Sequence, residues 1–423
     1  MPETTSRLAL LDQDGRLTAA ELPAAAAFTR PTSPLRSRVV YAASHVVPRA
    51  HADNTPGAAA EIDWDATLEV RRTIWSWGLG VADAMDTAQR GMGLDAAATR
   101  ELIARSADAA REALADPAIA AVFPQDAEVS DLVVAGVSTD QRPEPDLSLD
   151  EIITAYREQL AATEATGAGA VLMASRHLAR TAQSAEDYER VYREVLEAAS
   201  APVVLHWLGT AFDPRLEGYF GSGDTAAASD TLLRIIEQDP SRIRGVKMSL
   251  LDADAEIAVR ERLPEGVLLL TGDDFHFARL ILGDDDAESP TGVTGADRSF
   301  SHALLGAFAA TAPAASAAIQ ALDAGERERA RAILEDAERL ARQVFAAPTY
   351  HYKAGIAFLS WLNGHQHAFQ MVGGLHSARS LPHLSRIIEL AAATGNLEDP
   401  PLAAERWHAM LRLNGIDPRE ALA

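Results

Sequence analysis

Pro202-Val203-Val204-Leu205-His206-Trp207, Ile243-Arg244-Gly245-Val246-Lys247-Met248-Ser249 and Val267-Leu268-Leu269-Leu270-Thr271 are three short apolar runs in one stretch of chain. Between them lie Thr225–Gln238 and Ala253–Arg262, whose apolar residues recur at helical spacing. Strands separated by helices pair in parallel, because a parallel neighbour is reached only by a crossover. Working outward, further strand-like runs occur at Val39–Val47, Val81–Met85, Leu132–Val137 and Ala168–Ala174, and a weaker one at Thr291–Gly295. Helical segments fall between them, at Trp64–Trp77, Asp95–Leu114, Leu149–Thr166 and Ala185–Ala199. Eight strands in this alternation predict an α/β fold, a closed (β/α)8 TIM barrel. The competing doubly wound nucleotide-binding fold lacks its signatures: no G-x-G-x-x-G follows an early strand, and no P-loop sequence occurs.

The flanks read differently. Residues 7–20 predict a small hairpin around Asp14-Gly15, and Leu22–Pro34 a connecting arm. After the eighth strand the pattern is helical, at Gly325–Ala346, Tyr352–Leu362, Pro382–Thr394 and Pro401–Leu413, with Leu282–Ser289 read as a solvated loop. The expected division is an N-terminal hairpin and arm (1–35), a barrel (36–325) and a C-terminal helical extension (326–423). Aromatic and aliphatic residues on several faces of Tyr352–Leu362 predict a homo-oligomer.

Composition narrows the chemistry. A net charge of −23 disfavours nucleic acid and anionic membranes as partners. The absence of cysteine excludes disulfides, thiolate metal sites and a thiol nucleophile. No apolar run is long enough to span a bilayer, and Met1–Arg7 has no secretion-signal pattern, so a cytoplasmic protein is expected. The chain has 36 arginines but only two lysines, Lys247 and Lys353. An arginine replaces a surface lysine easily, but it stays protonated and cannot replace an amine nucleophile.

Reactive groups of a barrel sit at the C-terminal ends of its strands. In the sixth strand, Ile243, Gly245, Lys247 and Ser249 share one face. If that face is the interior, desolvation favours the neutral amine of Lys247, which can add to a carbonyl and form a Schiff base. His206 ends the preceding strand, where a histidine can shuttle protons. Gly272, Asp273 and Asp274 end the seventh strand; one aspartate is expected to cap the next helix and the other to line the pocket. The remaining substrate-binding candidates are Asp86, Gln89 and Arg90 after the second strand, Ser138 after the third, and Arg176 and His177 after the fourth.

These residues carry a resemblance. Arg244-Gly245-Val246-Lys247 followed by Leu268-Leu269-Leu270-Thr271-Gly272-Asp273-Asp274 resembles the dihydrodipicolinate synthase / N-acetylneuraminate lyase superfamily, whose sixth strand holds a lysine in G-[IV]-K and whose seventh ends in G-D-[DE]. Pro202–Trp207 resembles its fifth strand. Ala347–Leu359, with Pro348 and Lys353, resembles a late P-x-x-x-x-K helix and implies a structural role for the second lysine. The likeness spans about residues 60–365, in a divergent branch longer at both ends. It implies class I aldolase chemistry on a 2-oxo acid, no cofactor, and assembly into dimers or tetramers. His206 stands where the family has a proton-relaying tyrosine. The family's carboxylate-holding G-T-T-G-E loop is replaced near Ala88-Gln89-Arg90-Gly91-Met92, and its tyrosine pair gives way to Arg176-His177. The expected substrate is therefore a small polyhydroxylated keto compound or 2-oxo acid other than pyruvate. Two other readings are a metal-dependent lyase or isomerase using His45, His206, Asp86, Asp273 and His276, and a non-catalytic small-molecule-binding barrel.

Overall fold

The computed structural model describes residues 7–85, 90–283 and 298–422. β1 (Arg7–Leu11) and β2 (Leu17–Glu21) form an antiparallel hairpin. Gly15 turns it with φ at 79°, a conformation a side chain resists. Then come β3 (Val40–Ala43), β4 (Gly80–Asp83), β5 (Val133–Val137), β6 (Gly169–Leu172), β7 (Val203–Leu208), β8 (Ile243–Ser249), β9 (Leu268–Thr271) and β10 (His302–Leu305). All pair in parallel and close into a TIM barrel, β10 lying beside β3.

The seven earlier barrel strands fall on the runs expected, with β4 beginning one residue earlier, at Gly80, and β7 running on to Leu208. The eighth differs. Thr291–Gly295 lies outside the described residues, and β10 closes the barrel instead. Its three apolar residues, Ala303–Leu305, shortly precede an alanine-rich helix, Ala312–Asp323, which masked them as the start of a helical run. β3 is also shorter than Val39–Val47. Val47 leaves the sheet and donates its N–H to the Thr67 hydroxyl at 2.9 Å. Of the loop expected at Leu282–Ser289, Leu282 is buried at the end of helix Phe277–Leu282, and residues 284–289 lie outside the described residues.

Alternation along the strands sorts the core into two layers. Tyr41, Ala43, Ala82, Val134, Val171, Val204, Leu270 and Leu304 pack as one buried cluster inside the barrel, with members from every barrel strand but β8. A larger cluster lies between the strands and the surrounding helices. On β8 the interior row is Gly245, Lys247 and Ser249, in register with Val204, His206 and Leu208 of β7.

The chain ends meet. The indole of Trp407 donates to the Ala9 carbonyl at 2.7 Å, and the N–H of Leu11 donates to the Ser385 hydroxyl at 2.7 Å. The helix Tyr352–Leu362 is buried along nearly its whole length, so its apolar faces are used within the chain. Among the described residues, the large apolar side chains left exposed are Tyr350 and Leu413. No helix among them is long and apolar enough to cross a membrane.

Candidate active site

Lys247 enters the barrel from β8 with 8% of its surface exposed. Its register partners are His206 on β7 and Leu270 on β9, so all three side chains share the interior. Two residues on, Gly272 leaves the room the lysine needs. A Cβ there would lie 2.1 Å from the Ser249 hydroxyl and 2.9 Å from Lys247 Cε. The Gly272 N–H donates to the Met248 carbonyl at 2.6 Å, pinning that approach. His206 Nε2 is 3.2 Å from Ser249 Oγ, and both residues are buried.

The adjacent aspartates divide the labour. Asp273 ties the turn that leads into the helix Phe277–Leu282: its carboxylate accepts from the N–H groups of Phe275 at 2.8 Å and His276 at 3.1 Å, and pairs with His276 Nδ1 at 2.8 Å, while the helix's N-cap residue, His276, makes no side-chain cap. Asp274 turns inward and accepts from the N–H of Ala307 at 2.9 Å, just past β10. It is buried; the charges of Lys247 and Lys353 favour its ionised form, while that of Asp273 opposes it. Burial is the largest influence and pushes its carboxyl up to about 7.

Lys353 was not among the residues expected here. It is 2% exposed, and its Nζ donates to the Ala43 carbonyl at the end of β3. Burial lowers its ammonium to about 7; Lys247 and Arg71 add to that, and Asp274 and Asp83 oppose it. The signal was its rarity, since it is one of only two lysines in the chain. His45 stands nearby, its Nε2 2.8 Å from the Gln366 side-chain oxygen. Burial holds it neutral, down to about 3, with Lys353 and Arg71 adding to the effect. Below lies an ion pair buried on both sides: Arg71 donates to Asp83 at 2.5 and 3.1 Å and to the His45 carbonyl at 3.0 Å.

The other candidates gather elsewhere at the same barrel end. Arg90, Ser138, Arg176 and His177 line a cavity of about 530 Å³ with Asp140, Arg142, Arg180, Asp213 and Arg215; neither Lys247 nor His206 lines it. Arg90 is buried and committed: it grips Asp140 at 2.8 and 2.7 Å and donates to the carbonyls of Gly136 (2.5 Å) and Ala84 (3.2 Å) and to the Gln159 side chain. Ala84 holds left-handed backbone at φ 49°, and Arg90 helps to fix it there. The ring of His177 is taken up by the Thr139 hydroxyl at 2.7 Å and the Glu144 carbonyl at 2.8 Å. Arg176 is the more available, partly exposed and bound through Nε to Asp213 at 2.5 Å. Asp86 and Gln89 lie outside the described residues. Among the described residues, no three of the histidines and carboxylates come together as a metal cluster.

Comparison with solved structures returns the same barrel. The dihydrodipicolinate synthase of Aquifex aeolicus is 12% identical, covering 90% of this chain and 98% of that one, with a TM-score of 0.55. That of Bacteroides thetaiotaomicron is 13% identical over 85% and 99%, at 0.57. That of Oceanobacillus iheyensis is 14% identical over 78% and 88%, at 0.52. At such identities the likeness shows the fold. No curated protein matches the sequence. Residues 8–416, nearly the whole chain, match the family described as Protein of unknown function (DUF993). The chain thus belongs to that family, and its barrel has the fold of the dihydrodipicolinate synthases.

Proposed function

We propose that the protein is a Schiff-base lyase or aldolase that acts, through Lys247, on a small polyhydroxylated keto compound or 2-oxo acid. The observation that carries this reading is a buried lysine at the barrel interior, given room by Gly272, whose charge acts on the buried carboxylate of Asp274. The uncharged amine adds to the substrate carbonyl carbon. The carbonyl oxygen takes up protons and departs as water, leaving the imine. Asp274, with its carboxyl near neutrality, is suited to accept the proton the lysine sheds, and His206 to relay protons at the substrate carbons. The cavity lined by Ser138, Arg176 and Arg215 supplies the donors for a polar substrate's far end. The fold shared with the dihydrodipicolinate synthases agrees with this chemistry, while the Arg176-His177 lining favours a ligand other than pyruvate.

The test is intact-mass measurement after borohydride reduction with a panel of 2-oxo acids and keto sugars. A polyhydroxylated keto compound should leave one reduced adduct on Lys247, absent from the Lys247→Arg protein, with little adduct from pyruvate. If no compound is trapped, the imine reading fails. If pyruvate is trapped where keto sugars are not, the substrate reading fails and the imine stands.

A further inference from the structure

Lys353 reaches the barrel mouth from outside the barrel, and the sequence builds its route. It is the second residue of the helix Tyr352–Leu362. That helix starts on a ring stack, Tyr352 over Phe345 at 4.1 Å between centroids. The stack occupies space left open at Gly306, directly after β10: a Cβ there would lie 2.7 Å from Phe345 Cζ and from Tyr352 Cε2. The close approach lets Lys353 reach the Ala43 carbonyl, at the end of the strand beside β10. One residue past Gly306, the Ala307 N–H holds Asp274. The ends of β3, β8, β9 and β10 thus gather both lysines of the chain and one buried carboxylate at the same end of the barrel, where the charges of both lysines favour the ionised carboxylate.

A lysine kept only for packing would need no second ammonium in its surroundings, and burying charge is costly unless it is matched. Here the charges of two lysines act on one buried carboxylate, Asp274. The other charged or titratable groups around them are spoken for. Asp83 is bound by Arg71, Asp273 by His276, and His45 by Gln366, while His206 contacts Ser249. With both amines protonated and Asp274 ionised the cluster carries an excess positive charge, so the lysines compete for one counter-ion.

We propose that Lys353 is a positioning residue of this site: it competes with Lys247 for Asp274, and the competition sets the charge state of the nucleophile, so that the late helix completes a centre built on the barrel. The role assigned to Lys247 rests on the Schiff-base reading, but the competition itself does not. Asp274, drawn between two cations, serves as the shared proton site.

Because the chain has two lysines, protein labelled with 13C at lysine Cε gives two lysine resonances, assigned by substituting each residue in turn. The full-length protein is titrated without substrate. In Lys353→Met the Lys247 midpoint should rise by about one pH unit or more, since a neighbouring cation has been removed. In Lys353→Arg, which keeps the charge, it should stay near the wild-type value. In Asp274→Asn both lysine midpoints should fall. A folded Lys353→Met protein whose Lys247 midpoint does not move overturns the proposal. If that variant does not fold, an unmoved Lys247 in Asp274→Asn does the same. Failure of borohydride trapping leaves this titration standing, and an unmoved titration leaves trapping standing, so the two ideas fail separately.

Discussion

Two groups of charged residues occupy the same end of the barrel, and they are built in opposite ways. Around β8, β9 and β10 the charges are buried, and the charges of two lysines act on Asp274. Around the ends of β5, β6 and β7 each arginine meets a carboxylate: Arg90 with Asp140, Arg142 with Glu158, Arg180 with Asp146, and both Arg176 and Arg215 with Asp213. Most of these pairs are partly exposed. Such a pair contributes about 0–1 kcal/mol and holds shape more than it stabilises. The buried group has no such excuse, because burying charge without full compensation costs several kcal/mol. On the proposed function, the contrast separates a reacting centre, where the cost of burial perturbs protonation, from a wall whose paired donors can be re-partnered by a ligand.

The sharpest way to break that division is Lys247→Arg. Charge is kept but imine formation is lost, so turnover should fall by about a thousandfold or more while thermal unfolding shifts by only a few degrees. Turnover near the wild-type rate would show that the reacting centre lies elsewhere. Next in size is Arg176→Ala, on the other side of the comparison. It removes a partly exposed donor that contacts Asp213 but not the lysines. KM should rise by about tenfold with kcat within a few-fold, the signature of binding lost equally from ground and transition states. If kcat fell as far as in Lys247→Arg, the two groups would be one chemical centre.

How much of this was legible in the sequence follows the same division. Strand and helix alternation placed seven barrel strands, because each buried strand is a continuous apolar run. It missed β10, where four residues beside an alanine-rich helix carry too little pattern. Period two alone put Lys247 and Ser249 on one face with Gly245, as the register bears out. Local chemistry expected one of Asp273 and Asp274 to cap the next helix; instead Asp273 ties the turn before it, and the helix has no side-chain cap. Arg90 shows the limit: a loop arginine after β4 reads as a substrate clamp, yet its donors are committed to Asp140, Gln159 and two carbonyls. Lys353 was singled out by its rarity, but its distance along the chain hid its approach to the Ala43 carbonyl at the barrel mouth. That contact depends on Gly306 and a ring stack, which no periodicity encodes.

The smallest expected effect tests whether the lysines, rather than burial alone, make the first group special. Glu256 is a buried carboxylate on the same side of the barrel that does not meet them. It accepts from the hydroxyls of Thr271 at 2.9 Å and Ser301 at 2.8 Å, faces Arg260, and is repelled by Asp273. Burial pushes its carboxyl up from 4.5 to about 8. The folded chain therefore keeps a proton that the unfolded chain releases above about pH 4.5. The stabilisation is fully present below that pH and is lost as pH rises through about 8. Asp274, also raised, adds a loss in the same direction up to about 7, while Lys353, lowered to about 7, opposes it above that value. Their contributions cancel when wild type and Glu256→Gln are compared at each pH. A glutamine still meets both hydroxyls, which can turn to donate or accept. Urea unfolding of the wild type should lose on the order of 3 kcal/mol more than the variant between pH 5 and pH 9. Imine trapping at a fixed pH should stay within a few-fold, because no lysine loses a partner. Identical pH slopes would mean that Glu256 is ionised in the folded chain. A large loss of trapping would extend the reacting centre outward to Glu256, and burial rather than the paired lysines would then mark the boundary.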